Sequence, residues 1–315
     1  MISVRSNLDT PLHRKEIDRR SSLMDNSWTL IDNQQKIEAA RNDILSTRHI
    51  GIDTEYDSFR YFREKLCLIQ IRTESRAYIF DPLLDMDISF LGDVFADVAT
   101  IKIIHACDND IRLLNRDYGF SFKNIFDTYR AASILGSAAL SLTSIVWEYL
   151  GVELKKAKKL QRSRWDVRPL TNEQLDYAAL DTRYLTGLYS CLKESLICYG
   201  LEEEADVVFE KMAGVKWSEK TFHPEGVSRI GGYNDLEDFQ KHRLKTLYRW
   251  RFETAKRTNT AAFLVLSDRN IMDLSRKNGH AIESLSEAGI MSAAKSKTFG
   301  PELIEILRKT TKSAS

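Results

Sequence analysis

Residues 48–59 read RHIGIDTEYDSF and end an apolar run on two carboxylates, Asp53 and Glu55, one residue apart. Side chains alternate between the faces of a strand, so positions two apart share one. Asp53 and Glu55 would then stand side by side and repel unless hydrogen bonds or a cation offset the charge. Two chemistries are open. One is a loop mouth, with Thr54 and the acids making local turn and capping bonds. The other is half of a metal site, with hard carboxylate oxygens facing Mg²⁺ or Mn²⁺. Further along, Asp110 in IKIIHACDNDIRLL stands near the start of a helix that follows a buried strand, a crevice where open α/β sheets gather ligands. In EQLDYAALDTRYL, Tyr177 and Asp181 are four apart and share a helical face. Ala178, Leu185 and Leu188 make the rest of that face apolar, and an acid at its edge needs a partner. Taken singly, Asp110 reads as a helix N-terminal acid, Asp181 as a partner of Arg183 or a nearby Lys, and Tyr177 as a core aromatic with its hydroxyl at the rim. Their order along the chain is the more specific signal: a strand-borne Asp-x-Glu, a post-strand helical Asp, then a helical Tyr-x-x-x-Asp.

The elements that must position these groups follow from the hydrophobic pattern. WTLIDNQQKIEAARNDILS reads as a strand and an amphipathic helix with Ile37, Ala40 and Ile44 at helical spacing. HIGIDTEY, LCLIQIRT and RAYIFDPL are three short β-rich segments that suggest a meander. FLGDVFADV reads as a helix, IKIIHA as a buried strand and DNDIRLLNRDYG as a helix that Gly119 ends. From NIFDTYRAASIL onward the pattern is mostly helical. Strands with interspersed helices, then helices, predict an α/β domain with a mixed sheet.

At 315 residues the chain is long enough for two domains. The expected division is an N-terminal arm over 1–26, an α/β domain over 27–205, a Gly/Pro-containing linker over 206–233 and a helical domain over 234–315. In the helical part LEDFQKHRLKTLYRWRFETAKRTN reads as an amphipathic helix, with Leu244 and Leu247 on one face and Arg251 and Ala255 on the other. SDRNIMDLSRKN carries a Ser-x-x-Asn start; AIESLSEAG and GPELIEILRK predict two further short helices. A formal net charge of +1 means that any nucleic-acid affinity must come from local patches. No apolar run reaches membrane-spanning length, and the first twenty residues are too charged for a secretory signal. Cys67, Cys107, Cys191 and Cys198 form no CxxC pair and lie among apolar or small residues. They predict buried, reduced thiols and a cytoplasmic protein.

GIDTEYDSF, HACDNDIRLL and YAALDTRYL resemble the three exonuclease motifs of the DEDD superfamily in its tyrosine-bearing branch. Within it the chain is similar to ribonuclease D and its relatives over about residues 28–200, with LCLIQI, FDPL, FDTYRAASIL and WDVRPLTNEQLDYAALD agreeing between the motifs. HRLKTLYRWRFETAKRTNTAAFLVLSDRNIMDLSRK resembles an HRDC domain. The resemblance implies a ribonuclease-H-like mixed-sheet fold followed by a small all-α domain. It also implies 3′–5′ hydrolysis of RNA to 5′-mononucleotides with two divalent ions, Mg²⁺ or Mn²⁺. By the family pattern Asp53 bridges both ions, Glu55 and Asp181 complete the metal that activates water, Asp110 holds the second ion, and Tyr177 orients the attacking water. RNA with a free 3′ end, transfer-RNA precursors included, is the implied substrate; a DNA-preferring exonuclease and a nuclease-dead RNA-binding adaptor are the alternatives.

Between Glu153 and Pro169 a basic run interleaved with Trp165 enters the helix of the third motif. Lys158, Lys159, Arg162 and Arg168 in it are expected to contact substrate phosphates, against the reading of a solvated loop. Lys241, Arg243, Lys245, Arg249 and Arg251 would suit phosphates equally in the helical domain, and a soluble helix face is the alternative there. His105 reads as structural, and Gln70 as a strand residue near the cleft.

Overall fold

The computed structural model describes residues 27–155, 158–277 and 289–310. The arm expected over 1–26, Lys156, and all but the last residue of AIESLSEAG lie outside the described residues. Within them the chain forms two compact units, the first of residues 27–57 and 66–217 and the second of 58–65 with 218–310.

The first unit is built on six strands: β1 (Trp28–Ile31), β2 (His49–Asp57), β3 (Lys65–Arg72), β4 (Ala77–Phe80), β5 (Ile101–Ile104) and β6 (Ile125–Asp127). Their spatial order is β1-β4-β3-β2-β5-β6. β1 with β4, β2 with β5 and β5 with β6 are parallel, while β3 and β4 are antiparallel. The sheet is therefore mixed, as the pattern of elements predicts, and β2, β3 and β4 are the expected meander.

Helices cover both faces, which is why β3 is buried along nearly its whole length. Helix α1 (Gln34–Ser46) buries Ile37, Ala40 and Ile44. After α2 (Phe90–Ala96) and β5 comes α3 (Asp108–Tyr118), which Gly119 ends in the left-handed conformation at φ 69°. Then follow α4 (Thr128–Ile134), α5 (Leu142–Leu150), a single turn α6 (Lys158–Gln161), α7 (Asn172–Arg183) and α8 (Leu185–Cys198). Helix α7 starts in a capping box between Thr171 and Gln174. It closes over Cys67, Leu68, Ala77 and Ile79 with Leu175, Tyr177 and Ala178, all buried.

The expected linker is structured instead. Helix α9 (Glu202–Ala213) buries Ala205, Phe209 and Met212 at helical spacing, and Phe209 meets Phe126 of β6 at 4.9 Å between ring centroids. That apolar stripe keeps residues up to 217 in the first unit. Residues 218–233 join the second, where two 3₁₀ turns, Pro224–Arg229 and Tyr233–Asp235, bury Val227 and Ile230.

The second unit is helical: α10 (Asp238–Thr258), a turn α11 (Ala262–Val265), α12 (Asp268–Arg276) with its Ser267–Asn270 capping box, and α13 (Ala293–Lys309). Leu244, Leu247, Arg251 and Ala255 are all buried in α10. Steps of three and four place them on one face rather than two. Residues 58–65, the connection between β2 and β3 together with the first residue of β3, belong to this unit because its backbone and side chains hold them. Ala261 N–H donates to the Arg60 carbonyl at 2.9 Å, Arg63 N–H to Asn259 Oδ1 at 2.8 Å, and Phe62 packs edge-on against Phe252 at 5.2 Å.

Candidate active site

β2 enters the core as Ile50, Gly51 and Ile52 and leaves it with Asp53 and Glu55, which are half-buried. Alternation puts those two acids on one face and Thr54 on the other. Across from the acids, α7 presents Asp181, only 8% exposed. Asp53, Glu55 and Asp181 each offer a carboxylate oxygen, and the three oxygens lie within 4.8 Å of one another. Three anions that close repel strongly in a partly desolvated setting. Hard oxygen donors converging from a strand and a helix are the donor set a divalent cation takes, so the residues fit the metal that the sequence implies.

Tyr177 lies one turn before Asp181 and is 7% exposed. Burial first, and then the charges of Asp181, Glu55 and Asp53, push its phenol well above the ordinary range. It stays protonated at neutral pH, so its hydroxyl keeps a proton to donate. Trp165 packs beside it at 6.0 Å between ring centroids.

Asp110 is the fourth acid, and it does not join the cluster of three. Its Oδ1 accepts the Thr54 hydroxyl at 2.5 Å. Burial raises its carboxyl pKa, partly countered by the Thr54 bond. A residue that sequence reasoning passed over holds this acid's helix in place. Asp127, fully buried, accepts from Ala106 N and Cys107 N at 3.0 Å each, and from Tyr129 N at 2.9 Å and Arg130 N at 3.3 Å. It caps α4 and at the same time fixes the turn that leads into α3. The signal for it was an acid directly before a Thr-led helix, an N-cap pattern. Asn109 adds a second tie, donating to the Tyr56 hydroxyl of β2 at 2.8 Å.

Of the basic residues, Lys159 and Arg162 are exposed on and after α6, which packs on α7. Gln174 of α7 donates to Ser163 at 2.6 Å, so the loop is fastened beside Tyr177. The side chain of Lys158 lies outside the described residues. Arg168 is corrected: its guanidinium forks onto both oxygens of Asp81 and also reaches the carbonyls of Trp165 at 2.6 Å and Cys67 at 2.9 Å. Asp81 is 3% exposed, and a charge committed to it is unavailable to a phosphate. Arg243 and Arg251 are corrected likewise. Buried Arg243 donates to the Thr310 side chain and carbonyl and to the Lys277 carbonyl, and Arg251 to the Leu266 carbonyl and Asp268.

His105 meets Thr128 at 3.0 Å, in keeping with a structural role. Gln70 is wholly buried in β3, and its amide has no hydrogen-bond partner among the described residues. All four cysteines are free thiols; Cys67 and Cys107 are buried as expected, whereas Cys198 is exposed.

Comparison with known proteins agrees with this architecture. A family model described as 3′-5′ exonuclease matches residues 28–197, and one described as HRDC domain matches residues 240–307. The exosome complex component 10 homolog of Caenorhabditis elegans is 30% identical over 271 residues, which is 85% of this chain but 31% of that protein. Ribonuclease D of Desulfotalea psychrophila is 28% identical over 88% of this chain and 74% of its own. The crystal structure of the catalytic core of RRP6 from Trypanosoma brucei superimposes with a TM-score of 0.82 at 23% identity, covering 96% of this chain and 88% of that one. The chain thus spans about a third of the C. elegans relative and most of the bacterial one. With the family model covering more than half of its residues, the chain belongs to the 3′–5′ exonuclease family and carries an HRDC domain behind the exonuclease fold.

Proposed function

We propose that this chain is a metal-dependent 3′–5′ exoribonuclease, releasing 5′-mononucleotides from the 3′ ends of structured RNAs such as transfer-RNA precursors. The observation that carries the reading is the convergence of Asp53, Glu55 and Asp181 within 4.8 Å, with Tyr177 one helical turn away. Two divalent ions, Mg²⁺ or Mn²⁺, held by these three acids and Asp110 would stabilise the entering and departing oxygens of an in-line phosphoryl displacement. The protein's own part is positioning. β2 and α7 hold the carboxylates at fixed separation, so little reorganisation accompanies the reaction. Tyr177, kept protonated by burial, donates its hydroxyl to the water that attacks phosphorus and fixes its direction. Lys159 and Arg162, exposed beside α7, attract the phosphates of the incoming strand. The names of the relatives, ribonuclease D and exosome components, support RNA over DNA as the substrate.

The experiment is a time course on a 5′-labelled RNA with a single-stranded 3′ tail, in Mg²⁺, Mn²⁺ or EDTA, with Asp53→Ala alongside. A ladder shortening from the 3′ end with metal, absent in EDTA and in the variant, is the expected result. Intact RNA under both metals, while the chain still binds it, would overturn the catalytic reading in favour of an RNA-binding adaptor.

A further inference from the structure

The second unit exposes two large aromatic rings that touch. Phe59 is 63% and Phe263 44% exposed, and their centroids stand 4.8 Å apart with the planes tilted by 52°. Leu264 beside them is 37% exposed. Single exposed apolar side chains are ordinary, but a contiguous aromatic surface is not without consequence in water. This one is preformed rather than a chance meeting of mobile side chains. The bond from Ala261 N–H to the Arg60 carbonyl joins the two segments one and two residues away from the rings, and Asn259 grips the Arg63 N–H.

The surroundings say what the rings suit. The Arg60 guanidinium lies 5.8 Å from the Phe59 ring centre, and Lys65 repeats the arrangement over Tyr61 at 5.4 Å. Lys295 is fastened to the Leu264 carbonyl. Flat π faces interleaved with cations match a strand of flat bases on a phosphate backbone, the combination single-strand binders use without regard to sequence. Phe59 is also only four residues past Glu55, and four residues of chain span at most about 14 Å.

We propose that Phe59 and Phe263 form a stacking platform for bases of single-stranded RNA upstream of the 3′ end, with Arg60 holding a phosphate beside it. This rests on the exoribonuclease reading for the identity of the strand. It explains why the connection between β2 and β3 is built into the helical unit: a segment that follows the catalytic carboxylates in the chain supplies one ring, and the HRDC domain supplies the other.

The test uses ten-nucleotide single-stranded RNAs carrying 2-aminopurine at successive positions from the 3′ end, in EDTA so that the strand stays intact. Fluorescence quenching reports stacking and anisotropy reports affinity. The wild-type chain quenches at one or two adjacent positions. Phe59→Leu and Phe263→Leu, which keep apolar bulk but remove the ring, lose that quenching and weaken binding by roughly 5- to 150-fold, the factor for losing one base–aromatic stack. Phe59→Trp retains both, and thermal melts of all variants monitor folding. RNA abasic at the quenched positions binds wild type and Leu variants alike. Unchanged quenching and affinity in folded Leu variants, with the wild type still shortening RNA, overturn the platform and leave the exonuclease standing. Quenching by a wild type that never cuts RNA does the reverse, and a wild type that neither binds nor cuts overturns both.

Discussion

Gly51 of β2 faces the Thr182 carbonyl of α7: a Cβ built on residue 51 would stand 3.3 Å from that oxygen and 3.3 Å from Leu185 Cδ1. The absent side chain lets the helix bearing Asp181 approach the strand bearing Asp53 and Glu55. One of the closest neighbours is backbone, which gives less readily than a flexible side chain. Gly51→Ala should therefore widen the gap by a few tenths of an ångström, at a cost of about 1–3 kcal/mol in stability. Catalysis depends more steeply on placement, and a displacement near 1 Å costs about 100-fold. Turnover of Gly51→Ala on a short RNA is expected to fall on the order of 10-fold or more, with metal titration by calorimetry showing weaker binding. Wild-type turnover in the variant would mean that this approach does not set the carboxylate spacing.

Asp110 predicts a pH dependence of the metal-free protein. Burial lifts its pKa to about 7, against about 3.9 for an unfolded aspartate. Between those values the folded state holds more protons than the unfolded one, so stability falls as pH rises through that window and levels off above about pH 7. Asp110→Asn carries no such proton. Urea denaturation in EDTA at pH 5 and pH 8 should show the wild type losing stability relative to the variant by at most about 3 kcal/mol, the two units between pH 5 and pH 7 at about 1.4 each. A relative loss in the opposite direction would refute the assignment. Adding Mg²⁺ at pH 8 should stabilise the wild type more than the variant, which keeps only Asp53, Glu55 and Asp181.

Much of the site was legible because its residues carry type and spacing together. Asp53 and Glu55 on a strand, and Tyr177 and Asp181 one helical turn apart, are local patterns that folding does not rearrange. Arg168 and Arg243 were misread for the opposite reason. A basic residue in a basic run looks like solvated surface, and the partners that bury it come from far along the chain: Asp81 and Cys67 for the first, Lys277 and Thr310 for the second. The same holds for residues 58–65, whose membership of the helical unit depends on Ala261, Asn259 and Glu219, from about 160 to about 200 residues on. Nothing local revealed that Phe209 of α9, inside the expected linker, would meet Phe126.

The basic loop before α7 should separate into two kinds of residue. Arg168→Lys keeps the charge but loses the planar fork on Asp81. Arg168→Ala strands a buried carboxylate and should cost about 3–5 kcal/mol, read as a lower urea midpoint with an unchanged slope. Replacing Lys158, Lys159 and Arg162 with Ala should leave stability within about 0.5 kcal/mol and flatten the salt dependence of RNA binding, by about 0.7 in slope for each phosphate no longer neutralised. An unchanged slope would remove these residues from the substrate path.

Asp127 and Ala106 are coupled in a way that a double variant can measure. Ala106 has φ 58°, a left-handed conformation that costs a non-glycine residue about 1–2 kcal/mol. It is held there because Asp127 Oδ1 accepts its N–H while Oδ2 accepts that of Cys107. Asp127→Asn exchanges one of those acceptors for an amide donor pointing at an N–H, so about 1.5–3 kcal/mol is lost. The turn into α3 loosens with it, and Asp110 goes out of place. Ala106→Gly adopts the same conformation without the steric cost. The double variant should therefore recover part of the thermal stability that Asp127→Asn loses, by more than Ala106→Gly adds to the wild type, and with it part of the metal affinity. Strictly additive losses in melting and metal titration would show that Asp127 supports its own helix α4 but not the turn that carries Asp110.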